Sequence, residues 1–368
     1  MPNVLGLVSF RIYPALMGGQ KGVAMFYQHL QKHVSVTLAS SFDNDENSLS
    51  QMRRIIYPNK KMFRNIGQLK KLEHLIGEHD IDVIIAEHSY TGWMAWWLRK
   101  KTGKPFIIHS HNVESMRFLQ MKQWWWKLYH HYEGWVHRKA DFNFFISRED
   151  MDYAVTRFYL DQRRCAVITY GITQNLQQYS RQTIREQLGL QIYDALFLFN
   201  GTLDYEPNYE AVTRLINHID PILDKMLNNY KIIITGNRAP QELLNKIAAS
   251  KNIIYAGYVE DVNLYYRCAD LFLNPVVNDS GVKTKLIEAA ANHCTSISTE
   301  SGASGLMKEV FGEKLVVVKD HDWKEFTERV VDLYSQPQST TPASFFEYYD
   351  WENITAKAAQ KINELTSK

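Results

Sequence analysis

Long apolar runs are missing from this chain of 368 residues. Nowhere do about 18 apolar residues follow one another without a charge, so no membrane-spanning helix is expected. The first residues lack the basic start and small-residue cleavage site of a secretory leader, which points to a cytoplasmic protein. Cysteine is scarce. Cys165, Cys268 and Cys294 are odd in number, scattered and outside any C-x-x-C spacing. That argues for a reducing compartment and against a disulfide framework or a zinc site. Net charge is nearly absent too, with 42 basic residues against 40 acidic ones. Disorder is excluded by 45% hydrophobic residues, an ordinary globular value. At roughly 100–200 residues per domain the length predicts two domains or three.

The near-neutral total hides an uneven distribution. Residues 1–165 carry 23 Lys and Arg against 15 Asp and Glu, a balance of +8; the rest carries 19 against 25, a balance of −6. The first half is therefore the one suited to an anionic partner. It also holds Trp93, Trp96, Trp97, Trp124, Trp125, Trp126 and Trp135, seven of the nine tryptophans.

Short Val/Ile/Leu/Phe runs alternate with amphipathic stretches along both halves. Strands are predicted at 4–10, 35–39, 83–87, 106–109 and 142–147, then at 196–201, 232–236, 253–256, 271–274, 296–298 and 315–318. Continuous rather than alternating apolar runs suit parallel strands buried on both faces. Helices are predicted over 209–228, where Pro221 is a candidate break, and over 240–249. The repeated alternation reads as two doubly wound α/β domains, 1–165 and 166–350, joined near Arg164–Gly171. A last helix, 351–366, has no strand after it and can pack back across either domain.

Ligands of doubly wound domains bind at the carboxyl ends of strands, near helix starts. The densest such place runs from Asn274 to Ala291. A strand ends, a polar loop reaches Ser280-Gly281-Val282, and a helix begins with Lys283, Lys285 and Glu288 in its first two turns. Cations are disfavoured at a helix start unless an anion sits there. An anionic ligand would explain the two lysines; the other reading is a solvent-facing basic turn, with Glu288 an i, i+3 partner of Lys285.

Here the sequence resembles a known family. Gly281-Val-Lys-Thr-Lys-Leu-Ile-Glu-Ala, with Ser301-Gly-Ala-Ser-Gly-Leu downstream, resembles the donor site of GT-B glycosyltransferases of family 4, the group 1 glycosyltransferases. Phe199–Asn208, Tyr255–Val262 with Ala269–Pro275, Pro14–Lys21, His111–Ser115, and Ala140–Ser147 with Tyr170-Gly171-Ile172 resemble further segments of that family, in its order. The resemblance implies two Rossmann-like domains with an interdomain cleft, the first facing the acceptor and the second holding the donor. It implies that Glu288 receives the ribose hydroxyls and that Lys285 holds the diphosphate, with His111 against the transferring sugar. The backbone of Tyr258-Val259 would read the base. Gly18-Gly19 would let the backbone approach the phosphates. Gly201, Ser280, Gly281, Val282 and Lys283 complete the donor set, and His109, Asn112 and Glu114 are acceptor-side candidates. Glu114 either orients His111 or caps the following helix, and capping is the favoured reading.

Two departures from the family matter. The acidic residue usual eight positions before the ribose glutamate is Ser280, and the usual basic pair after the first donor-domain strand is Thr202 and Pro207. Lys285, with Lys283, is expected to compensate, and Arg238 is a spare cation. The implied reaction is retaining transfer from a UDP- or GDP-type sugar, with the lysines stabilising the departing diphosphate. No metal or other cofactor is expected, and Asp43-Asn-Asp45 reads as a polar loop. Other readings on this fold are a non-catalytic nucleotide-binding protein and a nucleotide-sugar epimerase.

Residues 51–71 hold seven Lys and Arg and no acid. Together with the tryptophans they suit a membrane–water interface. The expected partners are thus a nucleotide sugar, a glycan or glycolipid acceptor, and the inner face of a membrane. Nucleic acid is not expected, because no binding motif accompanies the charge. For Trp93, Trp96 and Trp97, at helical spacing, packing against the core is the favoured reading.

Overall fold

The computed structural model describes residues 1–15, 18–45, 51–173, 180–190, 192–277, 281–337 and 339–367. They form two compact units, Met1–Gly171 with Tyr349–Lys368, and Ile172–Tyr348.

The first unit is built on β1 (Asn3–Val8), β2 (Ser35–Ser41), β3 (Met52–Ile56), β4 (Val83–Glu87), β5 (Phe106–Ser110), β6 (Phe142–Phe145) and β7 (Cys165–Val167). Every pairing is parallel, in the order β3-β2-β1-β4-β5-β6-β7. The second unit carries β8 (Ala195–Asn200), β9 (Tyr230–Thr235), β10 (Ile253–Gly257), β11 (Leu271–Asn274), β12 (Thr295–Thr299) and β13 (Leu315–Val318). These too are parallel, in the order β10-β9-β8-β11-β12-β13. Both sheets are doubly wound. The strand order reverses between β1 and β4 in one and between β8 and β11 in the other. A crevice at the carboxyl ends is the geometric result of such a reversal.

The central strands follow the apolar runs because both faces are covered. β4 is buried at all five positions, and Leu5, Leu7, Ile84 and Ile108 share a core with Leu72, Leu98 and Val136. The two edge strands of the first sheet differ from expectation. β3 lies inside the basic stretch, with Arg53 and Arg54 exposed. Charged side chains on an edge strand discourage pairing with another chain. β7 was expected to begin the link, yet it pairs with β6. The first unit therefore runs to Gly171 rather than Cys165.

Around Pro221 the chain forms helix Glu206–Arg214, a π turn at Leu215–Ile219 and a short helix Asp220–Leu223 with the proline in its first turn. Proline has no N–H for the helical ladder, and the widened turn absorbs the missing bond. Asp43-Asn44-Asp45 is the turn after β2. Its Asn44 side chain accepts the backbone N–H of Ile12 at 2.7 Å and of Tyr13 at 2.9 Å. None of the described helices is long and apolar enough to cross a membrane.

Helix Trp351–Thr366 belongs to the first unit. Asp350 caps it by accepting the N–H of Glu352 at 2.7 Å. The buried Trp351 ring lies against Gly171, where a Cβ would come within 2.6 Å of it, and meets Tyr170 edge-on at 5.6 Å. Glu352 faces His29 at 2.9 Å and also pairs with Lys32, both from helix Gly18–Leu30 and the turn after it. Deleting the Trp351 ring removes the helix's contact with Gly171 and Tyr170. Trp351→Ala is expected to destabilise the first unit by about 3–5 kcal/mol, seen as a lower urea midpoint in near-UV circular dichroism.

Candidate functional site

In the first unit the chemistry gathers where β4 and β5 end. Glu87 and His109 are register partners across that parallel ladder, and His111 follows two positions on. Their side chains therefore project to one side. Glu87 is wholly buried. Its Oε1 accepts the Tyr27 hydroxyl at 2.7 Å and faces His109 Nδ1 at 3.2 Å. Its Oε2 lies 2.6 Å from His111 Nε2. Burial alone would push this carboxyl up, but His109 and His111 hold it well below the usual carboxylate range. His111 is lowered to about 4, first by burial and then by His109, against the opposing pull of Glu87. Glu87, His109 and His111 offer ligand-type atoms within 4.8 Å of one another, close enough for one cation to bridge. Here those atoms serve the hydrogen bonds just described.

His109 is 3% exposed, wedged between Phe26 and Phe144. It supports the site from inside. The His111 ring packs at a tilt against His109, centroids 4.4 Å apart, and against His88, 4.6 Å apart. His88 has φ +58°, a left-handed backbone that a non-glycine residue adopts at a cost of about 1–3 kcal/mol. Its N–H is tied to the His109 carbonyl at 2.9 Å.

Glu114 does not cap its helix, contrary to the favoured reading. It is the first residue of helix Glu114–Gln120. Its carboxylate accepts the Tyr90 hydroxyl at 2.6 Å and lies 3.1 Å from His88 Nδ1. The capping group is Glu133, from helix Trp126–Lys139. Its carboxylate accepts the N–H of Glu114 and of Ser115, each at 2.9 Å, and the Ser89 hydroxyl at 3.2 Å. Asn112 is half-buried in the intervening loop, its carbonyl accepting the Ser110 hydroxyl at 2.7 Å. Gly18 and Gly19 open helix Gly18–Leu30, and a Cβ at Gly19 would meet nothing within 4 Å.

In the second unit three strand ends are stitched together by glycine. Gly236 has φ +145°, and a Cβ there would sit 1.8 Å from the Gly201 carbonyl oxygen. Only glycine permits that approach. The Gly236 N–H in turn reaches the Gly257 carbonyl at 2.8 Å. Lys285 extends from helix Thr284–Ala291 over this floor. Its ammonium donates to Asn208 Oδ1 at 2.8 Å and lies 4.5 Å above the Phe199 ring. Lys283 precedes the helix as its N-cap residue, is 6% exposed, and donates to the Gly281 carbonyl at 2.6 Å. The two lysines thus differ: one is tied back to its own loop, the other stands over the ends of β8. Glu288 is half-buried one turn beyond Lys285, and Gly281 and Val282 are half-buried in the approach. Arg238, with φ +56°, is exposed and 3.6 Å from Asp204. Tyr258 is exposed and Val259 half-buried just after β10. Ser280 lies outside the described residues.

Sequence reasoning did not single out Glu87, His88, Tyr27, Glu133 or Asn208. Two adjacent polar residues, Glu87-His88, closing the apolar run Val83–Ala86 are the signal that was available for two of them.

Two doubly wound parallel sheets, with polar clusters at their carboxyl ends, are the architecture of the GT-B glycosyltransferases. The Glycosyltransferase Family 4 model matches residues 17–175 and the Glycosyl transferases group 1 model matches residues 194–336. The chain belongs to this family of transferases. Among solved structures it is similar to sucrose-phosphate synthase from Thermosynechococcus elongatus, with a TM-score of 0.78, 17% identity and 99% of both chains covered. It is similar to Anabaena HepE in complex with UDP, with a TM-score of 0.76, 15% identity, 99% of this chain and 100% of that one. WaaG, a glycosyltransferase involved in lipopolysaccharide biosynthesis, gives a TM-score of 0.69 at 16% identity, covering 97% and 99%. A curated relative, an uncharacterized 44.6 kDa protein in the cps region of Klebsiella pneumoniae, is 28% identical over 136 residues. The chain spans about a third of that relative's length, 35% of each.

Glu133 yields a test. Burial first, and Glu114 beside it, raise its carboxyl to about 7 against the donors that favour its charge. A carboxyl raised on folding adds stability below its unfolded pKa and loses it as pH rises to the folded value. The melting temperature of the wild type relative to Glu133→Gln is therefore expected to fall between pH 4.5 and 7. The full swing is about 3 kcal/mol, read by differential scanning fluorimetry across that range.

Proposed function

We propose that the chain is a retaining glycosyltransferase that takes a sugar from a nucleoside diphosphate sugar and places it on a glycan or lipid-linked acceptor. The observation that carries the reading is the Lys285 ammonium, held by Asn208 and Phe199 beside a helix start. A diphosphate placed there meets a fixed cation and helix N–H groups together. Glu288, an acceptor-only carboxylate one turn on, suits two ribose hydroxyls. Backbone at Tyr258-Val259 lies at the strand end where a base edge would be read. Lys283 contributes by fixing the Gly281 loop. UDP is the favoured nucleotide, supported by the HepE complex. His111 stands beside the transferred sugar. In this reading the departing diphosphate is stabilised by Lys285 and the helix start, so turnover needs no metal.

Calorimetry with UDP, GDP and ADP tests the donor side. Lys285→Ala and Glu288→Ala are each expected to weaken UDP binding by about 10–100-fold, the range for one charge-assisted contact. EDTA is expected to leave transfer unchanged. Wild-type affinity in both variants overturns the assignment.

The acceptor reading is a glycan or glycolipid at the inner face of a membrane. The likeness to WaaG, involved in lipopolysaccharide biosynthesis, supports a glycolipid acceptor. The surface that supports it is narrower than the tryptophan count suggested. Trp93, Trp96, Trp97 and Trp135 pack against the first unit's core. Outward lie Phe63, 88% exposed, and Ile66, 62% exposed, with Lys61 and Arg64 beside them in sequence. The Asn65 side chain between them accepts the Tyr57 N–H at 2.7 Å and donates to the Tyr57 carbonyl at 3.0 Å. Trp124 and Leu128 form a second such group with Lys122 and Lys127. Apolar side chains flanked by cations suit an anionic bilayer. In flotation with phosphatidylglycerol vesicles, wild type is expected to float and Phe63→Ser with Ile66→Ser to remain largely in the dense fraction.

A further inference from the structure

Three donors converge on one buried carboxylate. Tyr27 and His109 take Glu87 Oε1 at 2.7 and 3.2 Å, and His111 takes Oε2 at 2.6 Å. An ionised carboxylate only accepts hydrogen bonds. The His111 nitrogen that faces it, Nε2, therefore carries the proton. In a neutral imidazole the other nitrogen, Nδ1, then holds the lone pair. The opposite tautomer would set two lone pairs 2.6 Å apart inside the protein, with no water to separate them.

We propose that Glu87 is a positioning residue for glycosyl transfer: it fixes His111 in the Nε2-protonated tautomer and so presents Nδ1 as an acceptor toward a hydroxyl of the bound sugar. This rests on the reading of His111 as the residue beside that sugar. The surroundings oppose every alternative. The His109 and His88 rings pack against the imidazole, with centroids 4.4 and 4.6 Å away. The same two rings, with burial, disfavour a doubly protonated His111. Tyr27 and His109 occupy the second carboxylate oxygen, so the carboxylate cannot rotate away without losing both. Among the described residues, Glu114 lies against His88 and Arg117 pairs with Glu114. A hydroxyl has a proton to give, whereas a phosphate oxygen has none at neutral pH. On that reading the partner of Nδ1 is a sugar hydroxyl rather than a diphosphate oxygen.

Long-range proton–nitrogen correlation on histidine-labelled full-length protein at neutral pH tests this directly. His111 is assigned by the signals lost in His111→Gln. Nε2 is expected in the protonated region and Nδ1 in the unprotonated region; the reverse overturns the proposal. This measurement needs no turnover, so it fails or holds independently of the proposed reaction. The second arm is kinetic. Glu87→Gln replaces one acceptor oxygen by a donor group. It is expected to lower kcat by about 10–100-fold, to leave the donor KM within about twofold, and to disturb the His111 pattern. Glu87→Asp keeps an acceptor-only group and is expected to recover part of kcat together with the wild-type tautomer. A folded Glu87→Gln protein with wild-type kcat overturns the role. If that variant does not fold, the wild-type spectrum decides alone.

Discussion

A carboxylate cut off from water has to be answered by donors from the protein, and Glu87 organises the first unit's site by that demand. Burying an ion without partners costs several kcal/mol. Three side chains from three elements meet the need: Tyr27 from a helix, His109 from β5 and His111 from the loop beyond it. Each is then immobilised by the bond it gives. The arrangement of the histidines follows from one charge, and burial keeps that charge strong by excluding water.

A second buried acid repeats the device at the level of the backbone. Glu133 collects the N–H groups of Glu114 and Ser115. It thereby sets where helix Glu114–Gln120 begins and where the Glu114 side chain reaches His88 and Tyr90. The two acids are answered differently, one by side chains that carry partial positive charge and the other mainly by amides. This difference leaves one carboxyl strongly acidic and the other near neutrality. In the second unit the buried acid Asp270 accepts the Leu196 N–H at 2.7 Å at the start of β8, and the opposite strand ends are organised in another way. Glycines at 201, 236 and 257 let the strand ends touch, and Lys285 is held over them by an amide and a ring.

Much of the fold was legible because parallel central strands are continuous apolar runs. The predicted strands at 83–87, 271–274 and 315–318 coincide with β4, β11 and β13. What hid β3 and β7 was their position at a sheet edge, where Arg53 and Arg54 are tolerated and a strand is only a few residues long. For the site, strand alternation was enough to put His109 and His111 on one side. It could not find Glu87, which is 22 positions from His109, or Asn208, which is 77 positions from Lys285. Such pairs are created by sheet order, and no local pattern encodes them. The Glu114 reading failed for a related reason: a glutamate at a helix start looks like a cap from sequence, but a stronger acceptor from another helix had taken the amides.

The helix at Trp351–Thr366 completes the first unit although it follows the whole of the second in sequence. On a ribosome the first sheet emerges early, yet the surface that Gly171, Tyr170 and His29 offer to Trp351 stays uncovered while about 180 further residues are made and folded. The order of synthesis and the order of assembly are therefore different. A chain cut anywhere inside the second unit leaves the first with an open apolar face, so damage to one unit is transmitted to the other through connectivity alone.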